Sequence, residues 1–94
     1  MFKIAGRMFA LVFQGKGEAP LYINLKCDPV IAANLREQHE AVQPGYHMNK
    51  QHWNTVMIDG SLSPSDILAM IDHSYELVVQ KLPKSLRHTL AAVK

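Results

Sequence analysis

Five histidines, one cysteine and eight Asp and Glu side chains are the groups in this chain that could do chemistry. A metal site and a nucleophile are therefore the first possibilities to weigh. His47 and His52 stand five residues apart across a predicted turn, with no second Cys or His pair nearby of the kind structural zinc sites use. Their imidazoles read as braces that hydrogen-bond the backbone of a hairpin. Cys27 falls at the inward phase of a predicted strand, where a free thiol behaves as a small buried hydrophobe and not as a nucleophile. Ser61, Ser63, Ser65, Ser74 and Ser85 lack the Gly-x-Ser-x-Gly elbow. Gly15-Lys16-Gly17 is too short for a phosphate loop and has no helix behind it. No residue is assigned a catalytic role, and no metal or cofactor is expected.

The run His47-Met48-Asn49-Lys50-Gln51-His52-Trp53 carries a different chemistry. Asn49, Lys50 and Gln51 present donors beside an aromatic, the ingredients for touching phosphates and stacking on a base or ribose. Against that stands a structural reading, in which Trp53 anchors a sheet against a helix and the polar residues close the turn. Large aromatics are usually mostly buried, which favours the anchor for Trp53 and leaves Lys50 as the exposed contact.

These residues must be held by a scaffold, and the periodicity supplies one. Phe2–Ile4 and Met8–Gln14 flank a Gly6 turn and read as a hairpin. A third strand, Leu21–Cys27, alternates so that Leu21, Ile23, Leu25 and Cys27 share an inner face and the other face is wet. Asp28-Pro29 starts a helix that runs to about Gln38, with Ile31 and Leu35 inward and Arg36, Glu37 and Glu40 outside. Pro44-Gly45 breaks the pattern. A second hairpin is expected at Tyr46–Met48 and His52–Ile58, turning on Asn49, which tolerates left-handed backbone. Ser63-Pro64-Ser65-Asp66 is close to a capping box and opens a long helix with Ile67, Leu68, Ile71, Tyr75, Val78, Val79 and Leu82 inward. Leu82-Pro83 closes it and begins a short last helix with Leu86, Leu90 and Val93 inward. Strands joined mainly by hairpins imply an antiparallel sheet with helices on one face. The expected fold is α+β, a two-layer domain in β-β-β-α-β-β-α-α order over residues 1–94.

Length and composition bound the rest. The chain has 94 residues, 48% hydrophobic and 19% charged, which suits one core and not a disordered chain. The longest apolar run, Met8 to Phe13, is far short of a membrane span, no signal peptide is visible, and one cysteine forms no internal disulfide. A cytoplasmic location is expected. The net charge of +2 hides an uneven distribution: residues 1–26 carry +3, residues 27–80 carry −5 and residues 81–94 carry +4. If the two basic ends meet, the fold has a basic side. Lys81, Lys84, Arg87 and Lys94 could bind phosphate or simply complement a helix dipole.

The chain resembles the MmcQ/YjbR family along its whole length. The resemblance is carried by Met8-Phe9-Ala10, Leu25-Lys26-Cys27-Asp28-Pro29, Leu35-Arg36-Glu37-Gln38-His39, the run His47 to Val56, Asp59-Gly60-Ser61-Leu62, Asp72-His73-Ser74-Tyr75, and Leu82-Pro83 followed by Arg87. It implies a compact fold similar to secretion-chaperone-like domains and described as a double-wing DNA-binding domain, found mostly in bacterial proteins. On that expectation Asn49 and Lys50 on one wing, and Arg7 and Lys16 on or beside the other, meet the phosphates of double-stranded DNA, joined by Lys84 and Arg87. His47, His52 and Trp53 hold the hairpin in shape. The alternative implied is a protein-interaction or chaperone-like module that binds another chain through its sheet. Relatives usually begin with a helix and a linker before the first strand. This chain begins near that strand, which would expose part of the sheet's apolar face and make a homodimer an expected partner state.

Overall fold

The first hairpin and the two capped helices expected from the sequence form, and the strands assemble into one five-stranded antiparallel sheet with both helices on one face. The computed structural model describes residues 2–14, 17, 20–46 and 48–85. The elements are β1 (Phe2–Ile4), β2 (Arg7–Gln14), β3 (Leu21–Lys26), α1 (Pro29–Gln38), β4 (Val42–Pro44), β5 (Trp53–Ile58) and α2 (Pro64–Gln80). The strand order is β1-β2-β3-β5-β4. Lys84 and Ser85 begin a helical turn after Pro83. The remainder of the expected last helix, with Leu86, Leu90 and Val93, lies outside the described residues.

Local chemistry explains each boundary. The β1–β2 turn puts Ala5 at φ 50° and Gly6 at φ 78°, the pair of positive φ angles that matches the twist of a two-residue hairpin. Asp28 caps α1 by accepting from the N–H groups of Val30 at 3.0 Å and Ile31 at 3.3 Å, and Pro29 fills the first position, where no donor is needed. Ser63 does the same for α2, accepting from Asp66 N–H at 3.2 Å.

The core lies between the sheet and the helices. Ala10, Ile23, Leu25, Val42 and Val56 point from the sheet toward Leu35 of α1 and Ile67, Met70 and Ile71 of α2. α2 packs on β2 and β3, whereas α1 packs on the edge strand β4. The β1–β2 register slips at Phe2 and Lys3, so that Phe9 is the extra residue of a bulge in β2. Phe9 then makes an edge-on contact with Tyr75 of α2, ring centroids 5.3 Å apart. At this point Ser74, fully buried, joins three elements. Its hydroxyl accepts from Lys26 N–H at 2.8 Å and donates to the Phe9 carbonyl at 2.6 Å, bridging β3 and β2 beyond the last paired residues, Ala10 and Leu25.

Several expectations are corrected. The partner of β5 is Val42–Pro44 and not Tyr46–Met48. A Pro is tolerated there because β4 is an edge strand and needs no outward donor. Asn24, expected on the wet side of β3, is 1% exposed. It donates through Nδ2 to the Tyr46 carbonyl at 3.1 Å and accepts through Oδ1 from the Thr55 hydroxyl at 2.5 Å. Chain after Gly45 folds back over this face and covers both residues. Leu68 and Ile31 point outward at 59% and 43% exposure. In α2 the buried stripe follows Ile67, Ile71, Ser74 and Val78, and Leu68 sits about 100° away from it. In α1, contact with the sheet edge alone leaves Ile31 uncovered. Leu21 ends its strand at 44% exposure, beyond the reach of α2.

Candidate nucleic-acid interface

The segment between β4 and β5 is a loop fixed by side chains. Gly45 N–H donates to the Trp53 carbonyl at 2.9 Å and continues the β4–β5 pairing. A Cβ on Gly45 would lie 2.7 Å from Trp53 Cβ and 2.9 Å from Trp53 O, so this close approach requires glycine. We expect Gly45→Ala to displace β5 against β4, cost about 1–3 kcal/mol by overpacking, and alter Trp53 fluorescence. A melting curve and an emission spectrum measure both, and an unchanged spectrum would show that the strands can yield.

Asn49 does not need left-handed backbone, since Ala5 is the one non-glycine residue with positive φ among the described residues. Its role is played by the side chain instead, with Oδ1 accepting from the N–H groups of Gln51 at 2.9 Å and His52 at 3.3 Å. Lys50 is exposed, yet its ammonium donates to the Gly45 carbonyl at 3.1 Å. His52 is exposed, and its carbonyl accepts from Cys27 N–H at 2.7 Å. Trp53 is half-buried against Gly45. His47 lies outside the described residues.

Arg36 corrects another expectation. Predicted to face solvent, it reaches from α1 to the loop and to β5. Nε donates to Asn54 Oδ1 at 2.7 Å, and Nη2 donates to the carbonyls of Trp53 at 3.2 Å and of Lys50. The guanidinium can serve three oxygens at once because its donors are fixed in a planar fork.

A basic end emerges from the hairpin connectivity. In an antiparallel β2–β3 pair, the start of β2 and the end of β3 are neighbours, which brings Arg7 toward Lys26. The end of α2 adds Lys81. Partial burial, then the like charges of Lys81 and Arg7, pull the Lys26 ammonium pKa below its ordinary value. Lys26 also pairs across with Trp53, so the Asn49–Lys50 turn approaches the same end of the sheet. The connection carrying Lys16 leaves β2 at Gln14, the far end of an eight-residue strand, roughly 23 Å from Arg7. Lys16 and Arg87 themselves lie outside the described residues. Sequence reasoning weighed Lys81 as a phosphate contact of the basic tail but passed over Lys26, although the hairpin already made the Arg7–Lys26 approach legible.

Cys27 is 5% exposed, and burial followed by the neighbouring Asp28 charge pushes its thiol pKa up, which removes nucleophilic character. Among the described residues no group of three or more His, Cys, Asp or Glu side chains is placed to hold a metal ion. None of the described helices is long and apolar enough to cross a membrane.

The architecture is that of a two-layer α+β domain with an antiparallel sheet, one helix-covered face and a basic end. The YjbR family model matches residues 1–77, and the chain belongs to the YjbR family. It is 40% identical over 88 residues to the uncharacterised protein YjbR of Escherichia coli K12, covering 94% of this chain and 73% of that one. It is 37% identical over 84 residues to YbdF of Escherichia coli O157:H7, covering 89% and 67%. Among solved structures, a Deinococcus radiodurans protein with a DUF419 domain superposes with a TM-score of 0.80 at 38% identity, over 90% of this chain and 62% of that one. A Pseudomonas syringae protein superposes with a TM-score of 0.66 at 32% identity, over 73% and 65%. The chain thus spans less than two-thirds of the length of either structural relative.

Proposed function

We propose that this is a non-enzymatic, cytoplasmic DNA-binding domain whose contacts come from the basic end of the sheet. The observation that carries this reading is the crowding of Arg7, Lys26 and Lys81, none of which has an ion-pair partner among the described residues. Like charges held together without compensation lower stability. A polyanion that neutralises them recovers that cost and gains counterion release. Asn49 and Lys50 lie toward the same end of the sheet, with Lys84, Arg87 and Lys16 as further candidates. So few cations give weak, largely sequence-independent binding in the ~10⁻⁴–10⁻⁶ M range at physiological salt.

Fluorescence anisotropy with a short duplex tests this. Four phosphate contacts predict a slope of log affinity against log salt of roughly −3 to −4. Exchanging exposed Arg7 and Lys81 together for Glu should flatten that slope and leave the melting temperature near that of the parent. Absence of binding to any duplex at low salt removes the reading.

The exposed apolar residues Phe2, Val12, Leu21 and Ile58 favour a second reading, a protein-interaction surface occupied by another copy of the chain. Light scattering separates the two, because a stable dimer that loses DNA affinity as it forms supports the second.

A further inference from the structure

The face of the sheet turned away from the helices carries a row of aromatic rings. Phe13 of β2 and Tyr22 of β3 stand directly opposite across the strand pair, and their rings stack with centroids 5.4 Å apart and planes 14° from parallel. Phe13 also stacks on Tyr46, at 6.1 Å and 25°. A cross-strand pair is enough to fasten two strands. The third ring comes from outside the sheet. Tyr46 N–H donates to Thr55 Oγ1 at 2.8 Å and its carbonyl accepts from Asn24, which pins the backbone over the face while the residue stays 58% exposed.

The charge of this layer has one sign. The five strands contain no Asp or Glu, and their cations are Lys3, Arg7 and Lys26. The acids of the described residues lie on the two helices and in the segments that join them to the strands. Alternation assigns two of the cations to the aromatic face. Tyr22, Asn24 and Lys26 share that face along β3, which sets Lys26 about 13 Å from Tyr22. Phe2 pairs with Ala10 of the core, so its neighbour Lys3 turns to the aromatic side of β1. Lys50 stands toward the Lys26 end, because Trp53 pairs with Lys26.

We infer that this open face takes single-stranded nucleic acid, an unpaired base stacking at Tyr46 and the backbone phosphates running to Lys26 and Lys3. The inference rests on the reading of the basic end as a nucleic-acid contact, and names the form of the strand and the face that meets it. The chemistry selects the occupant. A duplex keeps the faces of its bases inside its own stack, so it can neutralise the lysines but has no base to give the rings. A second copy of the chain docked face to face would set the same cations against one another. An unpaired strand brings a π-face and a phosphate with every nucleotide, and any base can supply the stacking. Sequence preference should therefore be weak.

The test is fluorescence anisotropy of the full chain with labelled oligo(dT), oligo(rU), an abasic strand and a duplex, all of one length and at low salt. The abasic strand keeps the phosphates and lacks the bases. Oligo(dT) should bind roughly tenfold or more tightly than it does, the effect of one stacked base. Tyr46→Ala should erase that margin and leave the abasic and duplex affinities near those of the parent, whereas Tyr46→Phe keeps the ring and should keep the margin. The tighter of oligo(dT) and oligo(rU) identifies the sugar. Equal affinity for oligo(dT) and the abasic strand overturns the inference, and duplex binding in the same series then leaves the basic-end reading standing. A margin that survives Tyr46→Ala also overturns it. Absence of binding to every strand, duplex included, removes both readings. If Tyr46→Ala dissolves a dimer and leaves the margin untouched, the face belongs to a second copy of the chain.

Discussion

Replacing Ser74 by Ala should lower stability by about 3 kcal/mol, with a fall in melting temperature of roughly 15 °C for a domain of this size. The serine is 0% exposed and sits on α2 at the phase of the core, where an apolar side chain would be expected. Its hydroxyl accepts from Lys26 N–H and donates to the Phe9 carbonyl. Alanine leaves both backbone groups without that partner, beneath a helix position that is 0% exposed. Each stranded group costs about 1–3 kcal/mol, far above the net worth of a hydrogen bond that water can replace. The loss also unties α2 from the β2–β3 pair at the bulge, so amide exchange at Lys26 should accelerate along with global unfolding. Gln80→Ala, on the exposed side of the same helix, is the control and should stay within about 0.5 kcal/mol of the parent. A small effect at Ser74 would mean that β2 and β3 close directly once the hydroxyl is gone.

Ser74 also shows where sequence reasoning reaches and where it stops. The caps at Asp28 and Ser63, the Gly6 turn and the alternation through β3 are local signals, and each produced the element it announced. Ser74 itself lies seven residues after Ile67 on the inward stripe, so its burial was readable, but its two partners were not. They exist because the bulge at Phe9 and the end of β3 meet only in the folded sheet. Asn24 fails for a related reason. A polar residue at the outer phase of a strand reads as wet, and only the return of the chain after Gly45 over that face makes it a buried network with Thr55 and the Tyr46 backbone. β4 was hidden by Pro44, which reads as a break because edge position, a tertiary property, decides whether a strand can hold proline. For the candidate site, charge counting located two basic ends of the chain. Antiparallel pairing brings Arg7 toward Lys26, and the end of α2 adds Lys81.

Arg36→Ala should cost about 2–3 kcal/mol and concentrate its damage in residues 45–53. The side chain crosses from α1 to serve the Asn54 side chain and the carbonyls of Trp53 and Lys50. Asn54 is 2% exposed, so losing its donor leaves a buried amide oxygen unmatched, while the Lys50 carbonyl is open to water and the Trp53 carbonyl keeps the Gly45 N–H, so both lose less. Arg36→Lys discriminates between charge and geometry. It keeps the positive charge, but a single ammonium on a shorter reach cannot span three acceptors, so it should lose most of what alanine loses. The readout differs from that of Ser74. Amides of the Asn49–Lys50 turn should exchange much faster while those of β2 and β3 keep most of their protection, because Arg36 braces a loop whereas Ser74 fastens the core. The same variants bear on the proposed function. If Lys50 meets phosphate from a turn held by Arg36, then Arg36→Lys should weaken duplex binding although the net charge is unchanged. If the contacts come from Arg7, Lys26 and Lys81 alone, affinity and salt slope should survive it.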